Sequence, residues 1–293
     1  MEQLIIPILI NGSVVALVAL GYHLVIRSTG GLADFAIGQY VIISGMAVVV
    51  IGKGLQLDFT FVMLLGCLAS ALVAFINEGI VIRPIIRMNP DPTALAPITA
   101  TFCLLWIWEQ ISRLIFGDFA LRGQTLLPNA RFAVGEFVVS AHSAFIIVTT
   151  VLVFIAVRSW LNHTKTGRML RATGDNLSAA ELLGFPVNRS RALAFIFAGA
   201  TAGIAGVLAC PLAGFRPLGG TYYTLNGFVA LFLGGVATPL GAFVGGILLE
   251  AIKIIVGRYI GSGYQDYMVL GLALVIFRFL PQGILGKKKL RSA

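Results

Sequence analysis

The sequence predicts an all-α, polytopic transmembrane bundle of eight or nine spans, and three observations carry that expectation. Apolar residues occupy 58% of the 293 positions, while Asp, Glu, Lys and Arg together occupy 11%, against about 25% charged residues in soluble domains. The apolar residues fall into nine long runs, and the basic residues stand at the ends of those runs rather than on one polar unit. No water-soluble interior of this size could hide so much apolar surface, so lipid is the expected solvent for most of the chain.

A helix needs about 20 apolar residues to cross the hydrocarbon core. The first run, Leu4–Ile26, is long enough. Glu2 is the only charge before Arg27, so the run reads as a span and not as a cleaved leader, which would open on a positive segment. Ala33–Gly52, Leu57–Ile82, Ala94–Phe116 and Phe137–Val157 follow, with a polar connection of mixed charge at Gly117–Glu136. After a second polar connection, Arg158–Arg191, come Ala192–Phe215, Tyr222–Thr238, Leu240–Val256 and Gly261–Leu280. Tyr222–Thr238 and Leu240–Val256 are short and rich in glycine, and are expected to be broken or re-entrant. The whole chain, residues 1–293, reads as a single membrane domain.

Basic residues set the orientation. With the N-terminus outside and nine crossings, the inner side holds Arg27, Arg83, Arg87, Arg158, Lys165, Arg168, Arg171, Arg189, Arg191, Arg278, Lys287, Lys288, Lys289 and Arg291, fourteen of the twenty-one Lys and Arg residues. That bias favours an outer N-terminus and a cytoplasmic C-terminus. One re-entrant segment would move a terminus to the other side. The formal charge of +9 is spent on these anchors, and no nucleic-acid-binding surface is expected.

Two glycine pairs are spaced alike. Gly30-Gly31 precedes Gly38, and Gly219-Gly220 precedes Gly227, in each case by seven residues from the second glycine. Each pair opens a segment with polar residues among apolar ones, Asp34 and Gln39 in the first and Thr224 and Asn226 in the second. Matching interruptions in two halves of a transporter point to a midplane path built from internal repeats. Late-starting helices there would leave free amides to face a substrate carboxylate. Gly31, Asp34, Phe35, Gly38, Gln39, Gly220, Thr224, Asn226 and Gly227 are therefore the candidate substrate-pathway residues. Small-residue packing between membrane helices is the plainer alternative.

Charges inside the bilayer are costly and are expected to pair. Glu109 and Arg113, four apart, and Glu250 and Lys253, three apart, each share a helix face. Glu78, near Arg83, is placed close enough to the end of its run to reach the interface. His23 reads as a hydrogen-bonded packing residue, and Cys67, Cys103 and Cys210 as small buried hydrophobes with no metal-ligand spacing.

The inner connection is the most informative stretch. Ser178-Ala179-Ala180-Glu181 fits a capping box, Leu182 and Leu183 follow, Gly184 can take the left-handed conformation that ends a helix, and Pro186 lies just beyond. A helix so short is unstable alone and must dock on something.

Three separated motifs resemble the permease subunits of branched-chain amino acid ABC importers over nearly the whole chain. They are Asn11-Gly12-Ser13 with Ala16-Leu17, Ala19-Leu20 and Gly21-Tyr22; Thr166-Gly167-Arg168 through Arg171-Ala172-Thr173 to Ala179–Phe185, followed by Ala198-Gly199-Ala200 and Ala202–Val207; and Phe277-Arg278-Phe279-Leu280-Pro281-Gln282-Gly283. By that resemblance, Ser178, Ala179, Ala180, Glu181, Leu182, Leu183 and Gly184 form the helix that couples the permease to a cytoplasmic ATPase. The resemblance also implies two ATPase subunits, a homologous second permease, an extracytoplasmic substrate-binding protein, a bacterial inner-membrane location and a small hydrophobic amino acid as cargo. One motif departs: where the family commonly has Asn-Phe-Ala-His-Gly, this chain has Asp34-Phe35-Ala36-Ile37-Gly38, which bears on the cargo.

Gly52-Lys53 and Gly286-Lys287 lack both the upstream glycine and the following Ser or Thr of a phosphate loop. There is no HExxH pair, no Gly-x-Ser-x-Gly elbow and no carboxylate dyad. No enzyme activity, cofactor or metal is expected, and nucleotide must be bound by another chain. A secondary transporter or channel remains as an alternative, with Asp34 its best ion-site candidate, as does an ABC importer of urea, amides or other small organic molecules.

Overall fold

The computed structural model describes residues 4–55, 58–88, 95–123, 125, 131–134, 137–280 and 282–286. Nearly all of this is helix. The helices are α1 (Ile5–Thr29), α2 (Ile37–Leu55), α3 (Phe59–Asn77), α4 (Arg83–Met88), α5 (Leu95–Phe116), α6 (Ala141–His163), α7 (Lys165–Asp175), α8 (Leu177–Leu182), α9 (Val187–Ala213), α10 (Gly220–Gly234), α11 (Pro239–Tyr259) and α12 (Gln265–Phe279). A π-helical turn, Glu78–Ile82, joins α3 to α4.

Each of the nine apolar runs contains a helix, with shifted boundaries. Among the described residues, five helical stretches are long and apolar enough to cross a membrane: Ile5–Thr29, Phe59–Met88, Ala141–His163, Val187–Ala213 and Pro239–Tyr259. The fifth run begins as strand, because Phe137–Ser140 (β2) pairs antiparallel with Arg131–Val134 (β1). Its helix starts only at Ala141, where the Ser140 hydroxyl accepts from the Ser143 amide, a standard N-cap. The second run starts its helix at Ile37, leaving Leu32–Ala36 extended or turning. The helices of the seventh and ninth runs, α10 and α12, have 15 residues each, about 22 Å at 1.5 Å per residue and short of the ~30 Å hydrocarbon core.

α1 is the axis of the bundle. From Gly12 to Ile26 it is buried on every side, which is why its sequence is apolar all round and not striped. α9, α10, α11 and α6 surround it. The seam with α11 is set by glycine, since a Cβ on Gly246 would press on the Ala16 backbone and one on Gly12 on Ile247. α9 carries a second small-residue ridge, where Gly199 and Gly203 receive α3 and Gly206 receives α2. The close approach lets Ser70 donate to the Gly199 carbonyl at 2.8 Å and Ser44 donate to the Gly203 carbonyl at 2.9 Å. Without a hydrophobic drive between helices in lipid, such packing and hydrogen bonding hold a bundle together.

The two ends of the bundle differ. Arg27, at the end of α1, bonds Asp175 at the end of α7, and Arg191, in the first turn of α9, bonds Glu78 after α3. These ends and the α7–α8 segment therefore lie together. At the opposite end Leu121, beyond α5, bridges Phe215, beyond α9.

Candidate functional site

α1 stops at Gly30, in the left-handed region at φ 78°, and the amides of Gly30 and Gly31 both return to the Ile26 carbonyl. This C-terminal motif needs a residue without a Cβ penalty. The chain then runs through Asp34 into α2. Asp34 is fully buried; its Oδ1 accepts from the Ala36 amide at 3.0 Å and its Oδ2 from the Tyr40 hydroxyl at 2.7 Å. Asn77 donates to Tyr40 at 2.9 Å, and Trp108 donates to Asn77 at 2.8 Å. This line of side chains joins α2, α3 and α5, and it satisfies the Asp34 carboxylate.

The two interrupted segments meet. Ile42 lies by Gly219, Gly38 by Gly220 and Thr224, and Phe35 by Thr224 and Phe228. α2 and α10 therefore cross in opposite directions. The Gly38 amide donates to the Thr224 hydroxyl at 3.1 Å, and that hydroxyl donates to the Phe35 carbonyl at 3.0 Å. A Cβ on Gly38 would collide with the Gly220 carbonyl oxygen, and one on Gly220 with Gln39 Oε1. Gly38 is there because backbone meets backbone, and Gly220 because it leaves room for the Gln39 side-chain amide. Gln39 Nε2 donates to the Pro217 carbonyl at 3.1 Å, but its buried Oε1 has no partner among the described residues.

Of the nine predicted pathway residues, the crossing gathers Phe35, Gly38, Gln39, Gly220 and Thr224, while Asp34 is turned away from it to Tyr40. Gly227 faces α1 instead, against Val18 and Tyr22. Asn226 belongs to a neighbouring polar cluster. Gly31, at φ 144°, has nothing near its Cβ position. The crossing is packed shut. Beside it, toward the Phe215 end, opens a cavity of about 400 Å³ bordered by Asn11, Ile42, Phe215, Arg216, Tyr222 and Glu250, among others, and by none of the nine. Pattern reading found the interruptions; the cavity wall comes from residues distant in sequence, with no common spacing to reveal them.

Glu250 and Lys253 pair at 2.9 Å, as their spacing suggests, and Lys253 also donates to Asn226 Oδ1 at 2.9 Å and to the Tyr222 hydroxyl at 2.7 Å. Lys253 is 2% exposed, so its ammonium is held by three acceptors in place of water. The expected Glu109–Arg113 pair does not form. Arg113 turns past the end of α5 to Asp118 at 3.6 Å, a position that lets its long side chain escape the apolar helix face. Nor does Glu78 reach an interface. It is fully buried, held by Arg191 at 2.9 Å and Arg83 at 2.6 Å. His23 packs as expected, with Nδ1 2.9 Å from the Val236 carbonyl.

The predicted coupling residues form a compact projection. α8 spans Leu177–Leu182, but its cap is Asn176, whose side chain accepts from the Ala179 amide at 3.0 Å. The capping box assigned to Ser178 and Glu181 is thus displaced by two residues, because an Asn at the end of α7 already satisfies the first amides. Gly184 adopts φ 76°, and the Phe185 amide returns to the Ala180 carbonyl at 3.0 Å. Ala180 is buried against the bundle, while Leu182 is 90% and Leu183 75% exposed. The tip is apolar and has no cover.

Comparison with known proteins places these features in context. The chain is 29% identical over 296 residues to the high-affinity branched-chain amino acid transport system permease BraD of Pseudomonas aeruginosa, covering 96% of this chain and 94% of that protein. It is 28% identical to the Escherichia coli permease LivH, with the same coverage. The autoinducer 2 import system permease LsrC of an Enterobacter species is 28% identical over 90% of this chain and 75% of its own length. The family described as branched-chain amino acid transport system, permease component, matches residues 4–278. With its apolar helices, its glycine-seamed bundle and a match over almost its whole length, the chain belongs to this family of transport-system permease components.

Proposed function

We propose that the chain is the membrane-spanning subunit of an ATP-binding-cassette importer in a bacterial inner membrane, and that it moves small hydrophobic amino acids handed over by an extracytoplasmic binding protein. In this reading residues 1–293 form one permease domain that crosses the bilayer eight or nine times, with its C-terminus in the cytoplasm and α2 and α10 as the broken helices of two related halves. It dimerises with a homologous second permease, and each permease engages one of two cytoplasmic ATPases. The antiparallel crossing of α2 and α10 supports the two-halves reading, since inverted repeats would bring their interruptions together in this way.

The observation that carries the proposal is the bare apolar tip of Leu182 and Leu183 on a capped, glycine-ended helix. Exposed leucines on a projecting segment mark a protein contact. Here the segment sits at the end of the bundle where Arg27, Arg171 and Arg191 gather, the side expected to be cytoplasmic. An ATPase closing on it would pull on α7 and α9 together and strain the α2–α10 crossing, where the unpartnered Gln39 Oε1 makes the packed arrangement costlier by about 1–3 kcal/mol and easier to open.

The test is the assembled transporter in proteoliposomes. Leu182→Asp with Leu183→Asp should leave the permease folded while the ATPases no longer co-purify and ATP-driven uptake stops. Full uptake by that variant would remove the coupling assignment. A second cargo reading, another small organic molecule, follows from the 28% identity to an autoinducer 2 import permease; competition of leucine uptake by such solutes separates the two.

A further inference from the structure

We infer that the cleft between α1, α6, α7 and the start of α11 binds the phosphate of an anionic phospholipid headgroup. The cleft is a cavity of about 500 Å³ lined by His23, Arg27, Arg158, Asn162, Arg171 and Asp175, with Ala237–Leu240 closing one side. Three arginines face a single carboxylate. Arg27 directs its charge to Asp175 at 2.7 Å, and among the described residues Arg171 is held only by the neutral Asn162 Oδ1 at 2.9 Å. Arg158 has no hydrogen bond or ion pair among the described residues. The cleft therefore carries two positive charges in excess.

The surroundings favour a lipid over a soluble anion. Arg158 lies five residues before the end of α6, about 7 Å inside the helix end. The same face of α6 continues away from that end through Ile155, Val151 and Val148, spaced by three and four residues and 59%, 39% and 55% exposed. Leu240 adds a further exposed apolar surface at the mouth. An acyl chain laid along this stripe would bring its phosphate to the Arg158 guanidinium, which presents a planar fork matched to phosphate. The first turn of α11 opens on the same cavity without a side-chain cap, adding the positive end of its helix dipole. Basic pockets between membrane helices on the cytoplasmic side recognise anionic headgroups by these terms. Because Arg171 and Asp175 belong to α7, a bound headgroup would pin α7, and with it α8, to the bundle.

This inference requires only that the bundle spans a membrane, so its outcome is independent of the cargo and the ATPase contacts. The full chain, purified in detergent, is equilibrated with equal amounts of phosphatidylglycerol and phosphatidylcholine, and retained lipid is counted by native mass spectrometry. Wild type should prefer phosphatidylglycerol by roughly twenty-five-fold, from two uncompensated arginines. Arg158→Gln with Arg171→Gln should bring the two lipids to near parity. Arg158→Lys should keep most of the preference, and Arg258→Gln, at the far end of α11, all of it. Should the double variant fail to fold, Arg158→Gln alone carries the test with an expected fivefold loss. Unchanged selectivity in these variants overturns the site. Displacement of phosphatidylglycerol by millimolar inorganic phosphate, with loss of the lipid preference, overturns the lipid assignment in favour of a soluble anion.

Discussion

Glu78 fastens the first turn of α9, which follows the projecting segment, to the end of α3, so its removal is the most direct probe of how the bundle holds that segment. The Arg191–Glu78 contact is 2.9 Å, with the side chains 5% and 0% exposed. At an effective dielectric near 20 the gross attraction is about 6 kcal/mol, most of it offset in the intact protein by the desolvation of both ions. Glu78→Ala deletes the attraction and leaves the Arg191 guanidinium buried with, among the described residues, only Asn188 as a side-chain acceptor, so the expected loss is about 3–5 kcal/mol. Arg83 contributes less to that loss, being 30% exposed and able to turn to water. Replacing both members, Glu78→Leu with Arg191→Leu, should cost less than Glu78→Ala alone, because no buried charge is left unpaired and Arg83 can turn to water. Reversible unfolding in mixed SDS micelles, followed by tryptophan fluorescence, measures each variant. Should Glu78→Ala cost under about 1 kcal/mol, or the double change cost the sum of two singles, the pair does not lock α9 to α3 and the argument is wrong.

Three further outcomes follow from the geometry. Gly38→Leu should prevent folding, since its side chain would occupy the place of the Gly220 backbone; Gly31→Ala, with open space around it, should cost only the about 1–3 kcal/mol of a strained positive φ, read from folded yield and unfolding midpoint. Tyr40→Phe should destabilise by about 1–3 kcal/mol, because buried Asp34 and Asn77 each lose a partner, and Asp34→Asn in that background should recover part of the loss. Asn176→Ala should weaken α8 by about 1 kcal/mol and raise proteolysis around Leu182–Leu183 while the rest of the bundle keeps its unfolding midpoint.

The sequence alone determined that this is a helical membrane protein, where its helices fall, and that Gly30-Gly31 and Gly219-Gly220 interrupt two of them. Those conclusions rest on local facts: lipid demands long apolar runs, a helix end demands a residue free to adopt positive φ, and Lys253 three residues after Glu250 can only lie on the same face. Only the tertiary structure decided that α2 and α10 cross at Gly38 and Gly220, that Glu78 belongs to Arg191 and Arg113 to Asp118, and that Arg27, Arg158 and Arg171 share one cleft. Glu78 and Arg191 show why. Spacing along a helix limits which residues can meet, whereas the partner a long side chain takes depends on what neighbouring helices bring within its reach, and in a bundle seamed by glycine that is set by packing between segments a hundred or more residues apart.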